Sequence, residues 1–376
     1  MNFNALYLKE NKDGQNVEDF LERTWHQPHC TENEINRILS PQNAKDFLLK
    51  KRADIVADNP RFYRVYLALA NQKTYVSFEK TFNTQHYEAF ISKLSLTDKL
   101  KCKDIAYGDI YANDFNGYAA KDKVWGDIIY LNTSLNYFTT FINLALLNFK
   151  LKVPDNIRIN SLRIAIRIAL QNEAMDFLLD PRGIIPKKIY DKINKISRNQ
   201  MQYLAGHEFS HFLCGHLKDK KLTRALTFSV NDKKYFDNVY NNSQLEEFEA
   251  DINSLTRPKY SKKEFEEIIR SALIWFISLD IVDYAISIFA PRSDFSYSTH
   301  PSAKDRFDNI VKYFKNELPN NLNEIEVIKY RAEQFKRFLQ EDISVNYDSY
   351  DMYGSAYLDE PNTKWRGKEL IDRVDY

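Results

Sequence analysis

Apolar residues along this chain recur mostly three and four positions apart, the spacing that lays a stripe down one face of a helix. "FTTFINLALLNFKL" (138–151) and "SLRIAIRIALQNEAMDFLL" (161–179) carry it over several turns and predict two long helices. The breaker cluster "DPRGIIP" (180–186) predicts a turn after them, with another helix from about Ser197. Helical spacing returns over 243–254, 262–289 and 321–339. Two stretches alternate instead and predict strands: "TYVSFEKTF" (74–82), and "DIIYLNTSL" (127–135) behind the turn residues of "NDFNGYAAK". "TENEINRIL" opens with Thr31 followed three residues later by Glu34, a capping box. Helix dominates and the sheet is small, so the expected class is α+β. The expected organisation is a mixed α/β region over 1–100, a central unit over 101–318, and a C-terminal helix and tail over 319–376.

Composition narrows the function classes. Lys and Arg number 53 against 52 Asp and Glu, so there is no basic surplus of the kind a nucleic-acid footprint needs. Three scattered cysteines, Cys30, Cys102 and Cys214, do not make a disulfide framework and suit a reducing compartment. The first twenty residues lack the apolar run of a signal peptide. "SALIWFISLDIVDYAISIFA" (271–290) could pass for a membrane span, but Asp280 and Asp283 would each cost roughly 2.5–3.5 kcal/mol at the bilayer centre. It reads as a buried core helix. The expectation is a soluble cytoplasmic protein with neither nucleic acid nor membrane as partner. The last thirty residues are polar and tyrosine-rich with little periodicity, and read as a loosely ordered tail.

The candidate chemistry lies in "AGHEFSHFLCGH" (205–216). His207 and His211 are four apart, so a helix sets both imidazoles on one face, close enough to share a cation. Glu208 is rotated about 100° from His207 around the helix axis. It is poorly placed as a ligand but well placed to reach a water at the same metal. His216 is off by one from the third histidine of HExxHxxGxxH, and Gly215 is placed to end the helix before it. A structural or ligand-supporting role suits His216 better than ligation. A third ligand is offered downstream in "SQLEEFEADINS" (243–254), where Glu247 and Asp251 share a helix face. Glu247 can coordinate while Asp251 takes the free N–H of a ligand histidine and fixes its tautomer. Glu246 is the rival, but Ser243 and Glu246 form a capping box that employs it; Glu249 is a weaker rival. Elsewhere "WHQPHC" holds His26, His29 and Cys30, potential donors that Pro28 and the lack of a partner cluster assign to a surface loop. Cys214 reads as a small core residue, and the basic run "HLKDKKLTR" from His216 as a solvated loop.

"HEFSHFLCGH" followed by "EFEAD" resembles the glutamate-zincin pattern HExxH…ExxxD. The likeness is nearest to the integral-membrane CAAX and heat-shock peptidases and to the phage-exclusion Lit peptidases. "GDIIYLNTSL" resembles the strand and turn before the metal helix in that group, "NDFNGYAA" its edge-strand region, and "STHPSAKDRFDNI" (298–310) its His-Pro…Arg motif. The membrane spans of the CAAX group are absent, which points to the soluble Lit-like branch. The resemblance implies a zincin-like fold and a soluble zinc endopeptidase acting on an intracellular protein or peptide, in the setting of phage defence.

On this reading Zn2+ is held by His207, His211 and Glu247, and Glu208 is the general base and then the acid. His300 or Tyr297 would supply a donor to the oxyanion, with Arg306 pairing nearby. Two rivals stand beside it: a regulatory protease that cleaves repressors, and an inactive zinc-stapled interaction module. The retained Glu208 argues against the module, since a purely structural site has no use for a base there.

Overall fold

A computed structural model describes residues 17–217, 244–289, 301–318, 323–358 and 371–372. It is mostly helical with a small mixed sheet, an α+β arrangement.

The N-terminal part is built from α1 (Val17–His26), α2 (Glu32–Leu39), α3 (Ala44–Asp58), α4 (Pro60–Ala70), α5 (Gln85–Lys93) and α6 (Leu96–Cys102). The Thr31–Glu34 capping box forms at the start of α2, and the same Glu34 also accepts from the backbone N–H groups of Phe78 and Glu79 at 3.3 and 2.7 Å. That contact corrects one strand expectation. Residues 74–82 contain a single 3-10 turn, Glu79–Thr81, and no strand. Phe78 and Phe82, on either side of that turn, both pack on Tyr66 of α4, Phe78 edge-on and Phe82 stacked, so their spacing serves a helical core.

The sheet comprises β1 (Ala106–Tyr107), β2 (Gly117–Asp122) and β3 (Gly126–Leu131) in the order β1-β3-β2. β1 runs parallel to β3; β2 is antiparallel to it, with Gly117 opposite Leu131 and Tyr118 opposite Tyr130. Among the described residues β2 is therefore an outer strand. The expected strand over 127–135 stops at Leu131 and turns at Asn132 into α7 (Thr133–Leu146).

α8 (Asp155–Ala169) ends ten residues before the predicted 179. The chain bends there to bury Glu173 between Arg167 and Arg182, at 2.9 and 2.8 Å. Next comes α9 (Lys187–Cys214), which starts ten residues earlier than Ser197 because Ile189 and Ile193 extend its buried stripe. α9 packs against α5, α7, β2 and β3, and against α10 (Gln244–Thr256) and α11 (Lys262–Phe289). Asn143 of α7 ties it in place with hydrogen bonds to Ser197 and Gln200 at 3.1 and 2.8 Å. In α11 the side chains from Ile268 to Ile277 are nearly all buried; Asp280 is half-exposed and paired with Lys336, and Asp283 is exposed. It is the one described helix long and apolar enough to cross a membrane.

α12 (Ala303–Tyr313), α13 (Asn323–Val345) and the short α14 (Asp348–Asp351) complete the helices. α12 was not read from the sequence. The expectation of a loose tail fails over 347–358. Tyr350, Ser355, Ala356, Tyr357 and Leu358 are buried, Ala356 N–H donates to the Glu173 carboxylate at 3.1 Å, and β4 (Ser355–Ala356) pairs with β5 (Ile371–Asp372). A buried carboxylate flanked by two guanidiniums gives this polar segment a docking point that periodicity cannot reveal. "WHQPHC" is a surface turn only in part: Trp25, Gln27 and Pro28 are exposed, but His26, His29 and Cys30 are all buried. One hydrophobic cluster runs from Cys30 to Leu358 through every layer.

Candidate metal centre

α9 delivers His207 and His211 onto one face, as their spacing requires, and both are buried. Their Nε2 atoms face each other at 3.1 Å. α10 crosses that face and inserts the buried Glu247, whose carboxylate oxygens lie 3.3 Å from His207 Nε2 and 3.6 Å from His211 Nε2. Donors bonded at about 2.0–2.1 Å to one tetrahedral ion sit about 3.3 Å apart, so the three atoms already stand at the separations a shared cation imposes.

The outer nitrogens make the same point. His207 Nδ1 is 2.9 Å from Asp251 Oδ1, and Asp251 is fully buried. A carboxylate there takes the N–H and turns the Nε2 lone pair inward. His211 Nδ1 lies 3.0 Å from Nδ1 of His216, and His216 Nε2 is 3.1 Å from Glu249 Oε2. With protons assigned along this chain, His211 also aims its Nε2 lone pair inward. Two lone pairs and a carboxylate pointing at one another repel unless a cation or a proton lies among them.

Electrostatics agree. Burial alone would lower His207, but its hydrogen bonds and charge contacts with Asp251 and Glu247 outweigh that and raise it to about 10. His211 is held far below the ordinary imidazole value, by burial first and then by the charge of His207. Asp251 and Glu247 favour positive charge on His207, while His211 stays neutral, the state that ligates metal.

His216 reaches His211 through a helix terminator. Gly215 adopts φ 81°, a left-handed conformation that favours glycine, and the His216 N–H then bonds back to the His211 carbonyl at 2.9 Å. This turn folds the His216 ring over the outer nitrogen of His211. Glu249 points to His216 and is largely exposed, and Glu246 is half-buried on another face. Ser243, the cap proposed for Glu246, lies outside the described residues, as do His300, Tyr297 and the basic run after Leu217. Cys214 is half-buried, with the Arg257 guanidinium 3.6 Å from its sulfur.

Two partners complete the centre. Arg306 on α12 grips Asp251 with hydrogen bonds of 2.8 and 2.6 Å and stands 3.6 Å from Glu247. Tyr203 donates to Asp251 at 2.7 Å. Sequence reading placed Arg306 only in the neighbourhood and missed Tyr203, whose signal was its position one turn before His207 on the same face.

Glu208 is half-buried and points to the sheet. A Cβ on Gly117 would come within 3.0 Å of its Oε1 and 2.5 Å of a Leu131 methyl, so β2 passes close to the carboxylate. The Glu208 carboxylate thus faces the outer strand β2 and belongs to the residue next to His207 along α9. Comparisons with protein-family models, with curated proteins and with solved structures return no match.

Proposed function

We propose that this protein is a zinc-dependent endopeptidase of zincin-like fold, acting on an intracellular protein or peptide. The observation that carries the reading is the convergence of His207 Nε2, His211 Nε2 and the Glu247 carboxylate, with Glu208 next along the same helix. Two imidazoles and a carboxylate also suit iron. The glutamate base beside the first ligand favours zinc hydrolysis, because redox chemistry has no need of it.

Bound zinc supplies Lewis acidity, which acidifies water and polarises a carbonyl. The chain supplies the rest. His207, His211 and Glu247 bind the ion, and Asp251, Tyr203 and Arg306 hold the first ligand in one tautomer and orientation. Glu208 accepts a proton from the attacking water and passes it to the departing amine. The outer edge of β2 can pair with an extended substrate and lay its scissile bond beside Glu208.

Glu208→Gln tests this. The variant should bind zinc as wild type does and lose cleavage of a peptide library by at least about a hundredfold. Cleavage that survives the substitution would remove the assignment. Zinc binding without cleavage in either protein would favour a zinc-stapled interaction module.

A further inference from the structure

The helix α1 ends at His26, and the turn after it folds back on itself: the N–H groups of His29 and Cys30 both bond to the His26 carbonyl, at 3.1 and 2.8 Å. Pro28 therefore shapes a tight turn that gathers three donor side chains. One donor atom from each of His26, His29 and Cys30 lies within 4.8 Å of the others. A point among them is then no more than about 2.8 Å from all three, within an ångström of zinc–nitrogen and zinc–sulfur bonds of about 2.0–2.3 Å.

His26 and His29 are each 2 % exposed. Both ring nitrogens of His29, and Nδ1 of His26, are buried without a hydrogen-bond partner. His29 is enclosed instead by rings, with Tyr63 and Phe78 edge-on at 5.4 and 5.1 Å. A buried imidazole with neither nitrogen satisfied costs free energy, and such exceptions in native proteins call for an explanation. A lone histidine in an aromatic box would need none of the sulfur and second imidazole beside it. Burial pushes both imidazoles down to about 4, so each is neutral and offers a lone pair.

We infer that His26, His29 and Cys30 form a second cation site, for a thiophilic ion with Zn2+ foremost, that clips the turn between α1 and α2 onto α4. A thiolate with two imidazoles is a soft donor set, unlike the two imidazoles and carboxylate of the first centre. On binding, Cys30 releases its thiol proton to solvent and the sulfur bonds the ion. The inference stands independently of the peptidase reading.

The test uses the full chain with the first centre removed (His207→Ala and His211→Ala) and with Cys214→Ser to remove the thiol that is grouped with His216 and Glu249. Titration with Zn2+ should load one equivalent per chain and raise the melting temperature. Co2+ in its place should show a thiolate-to-metal charge-transfer band in the near ultraviolet. Adding Cys30→Ser should abolish the band, with far-ultraviolet circular dichroism as the check on folding. His29→Gln, which keeps the sulfur, should weaken Zn2+ binding at least tenfold. In the parent background, absence of both bound zinc and the cobalt band overturns the inference even if Cys30→Ser does not fold. A band that persists in folded Cys30→Ser also overturns it.

Discussion

Asp251 Oδ1 lies 2.9 Å from His207 Nδ1, on the side of the ring away from Glu247. Asp251 is itself held by Arg306 and by Tyr203. α9, α10 and α12 thus meet at one carboxylate, and through it they set the tautomer of a histidine.

Asp251→Asn should therefore weaken zinc binding by roughly 10- to 100-fold while the three ligand residues stay in place. Competition against a chromophoric chelator reads the affinity directly. Unchanged affinity would mean that packing alone orients His207.

Gly117→Ala isolates the position of Glu208. The added methyl would sit 2.5 Å from Leu131 Cδ2 and 3.0 Å from Glu208 Oε1, so the Leu131 side chain must move and the carboxylate is pressed to give by a few tenths of an ångström. Zinc content should not change, while kcat should fall roughly 10- to 100-fold. Equal kcat in the variant would show that Leu131 alone yields.

Gly206→Ala probes how α9 sits on α5. Its Cβ would meet the Phe90 ring at 2.6 Å, and that ring is fully buried and stacked on Phe209. The helix-propensity gain of roughly 1 kcal/mol is outweighed by an overpacking cost of about 1–3 kcal/mol. Urea unfolding should show a net loss of about 1 kcal/mol. In a Phe90→Leu background the same change should become neutral or favourable, and a gain in the wild-type background would refute the packing argument.

A pH dependence is expected far from either cation site. Asp342 on α13 accepts from Arg163 of α8 at 2.8 Å and from Tyr350 at 2.5 Å. Burial alone would raise its carboxyl, but those hydrogen bonds outweigh it and hold the group below the ordinary 3.8. A folded pKa below the unfolded one gives stability that is complete above 3.8 and is lost as pH falls below it. Asp342→Asn should thus cost roughly 1–3 kcal/mol at neutral pH, with the gap closing in more acid solution. Denaturant melts of both proteins across that range test it, and a gap independent of pH would count against the pairing.

Much of the centre was legible because its decisive patterns are local. His207 and His211, and Glu247 and Asp251, are each four residues apart, and a helix turns that spacing into a shared face whatever else it touches. The Thr31–Glu34 box and the stop at Gly215 are equally short-range, and both form. The sequence by itself therefore determined which side chains travel together. Tertiary structure alone decided which of those faces meet. It placed Asp251 between Tyr203 and Arg306, residues 48 and 55 positions away along the chain. It turned residues 74–82 into a packed turn instead of a strand, because Glu34 and Tyr66 engage them from distant helices. It seated the polar segment after Tyr347 on Glu173, and it buried His29 against Tyr63 and Phe78 and Cys30 beside it in the chain. Burial and pairing at those positions depend on elements far apart in the chain, so no local spacing encodes them.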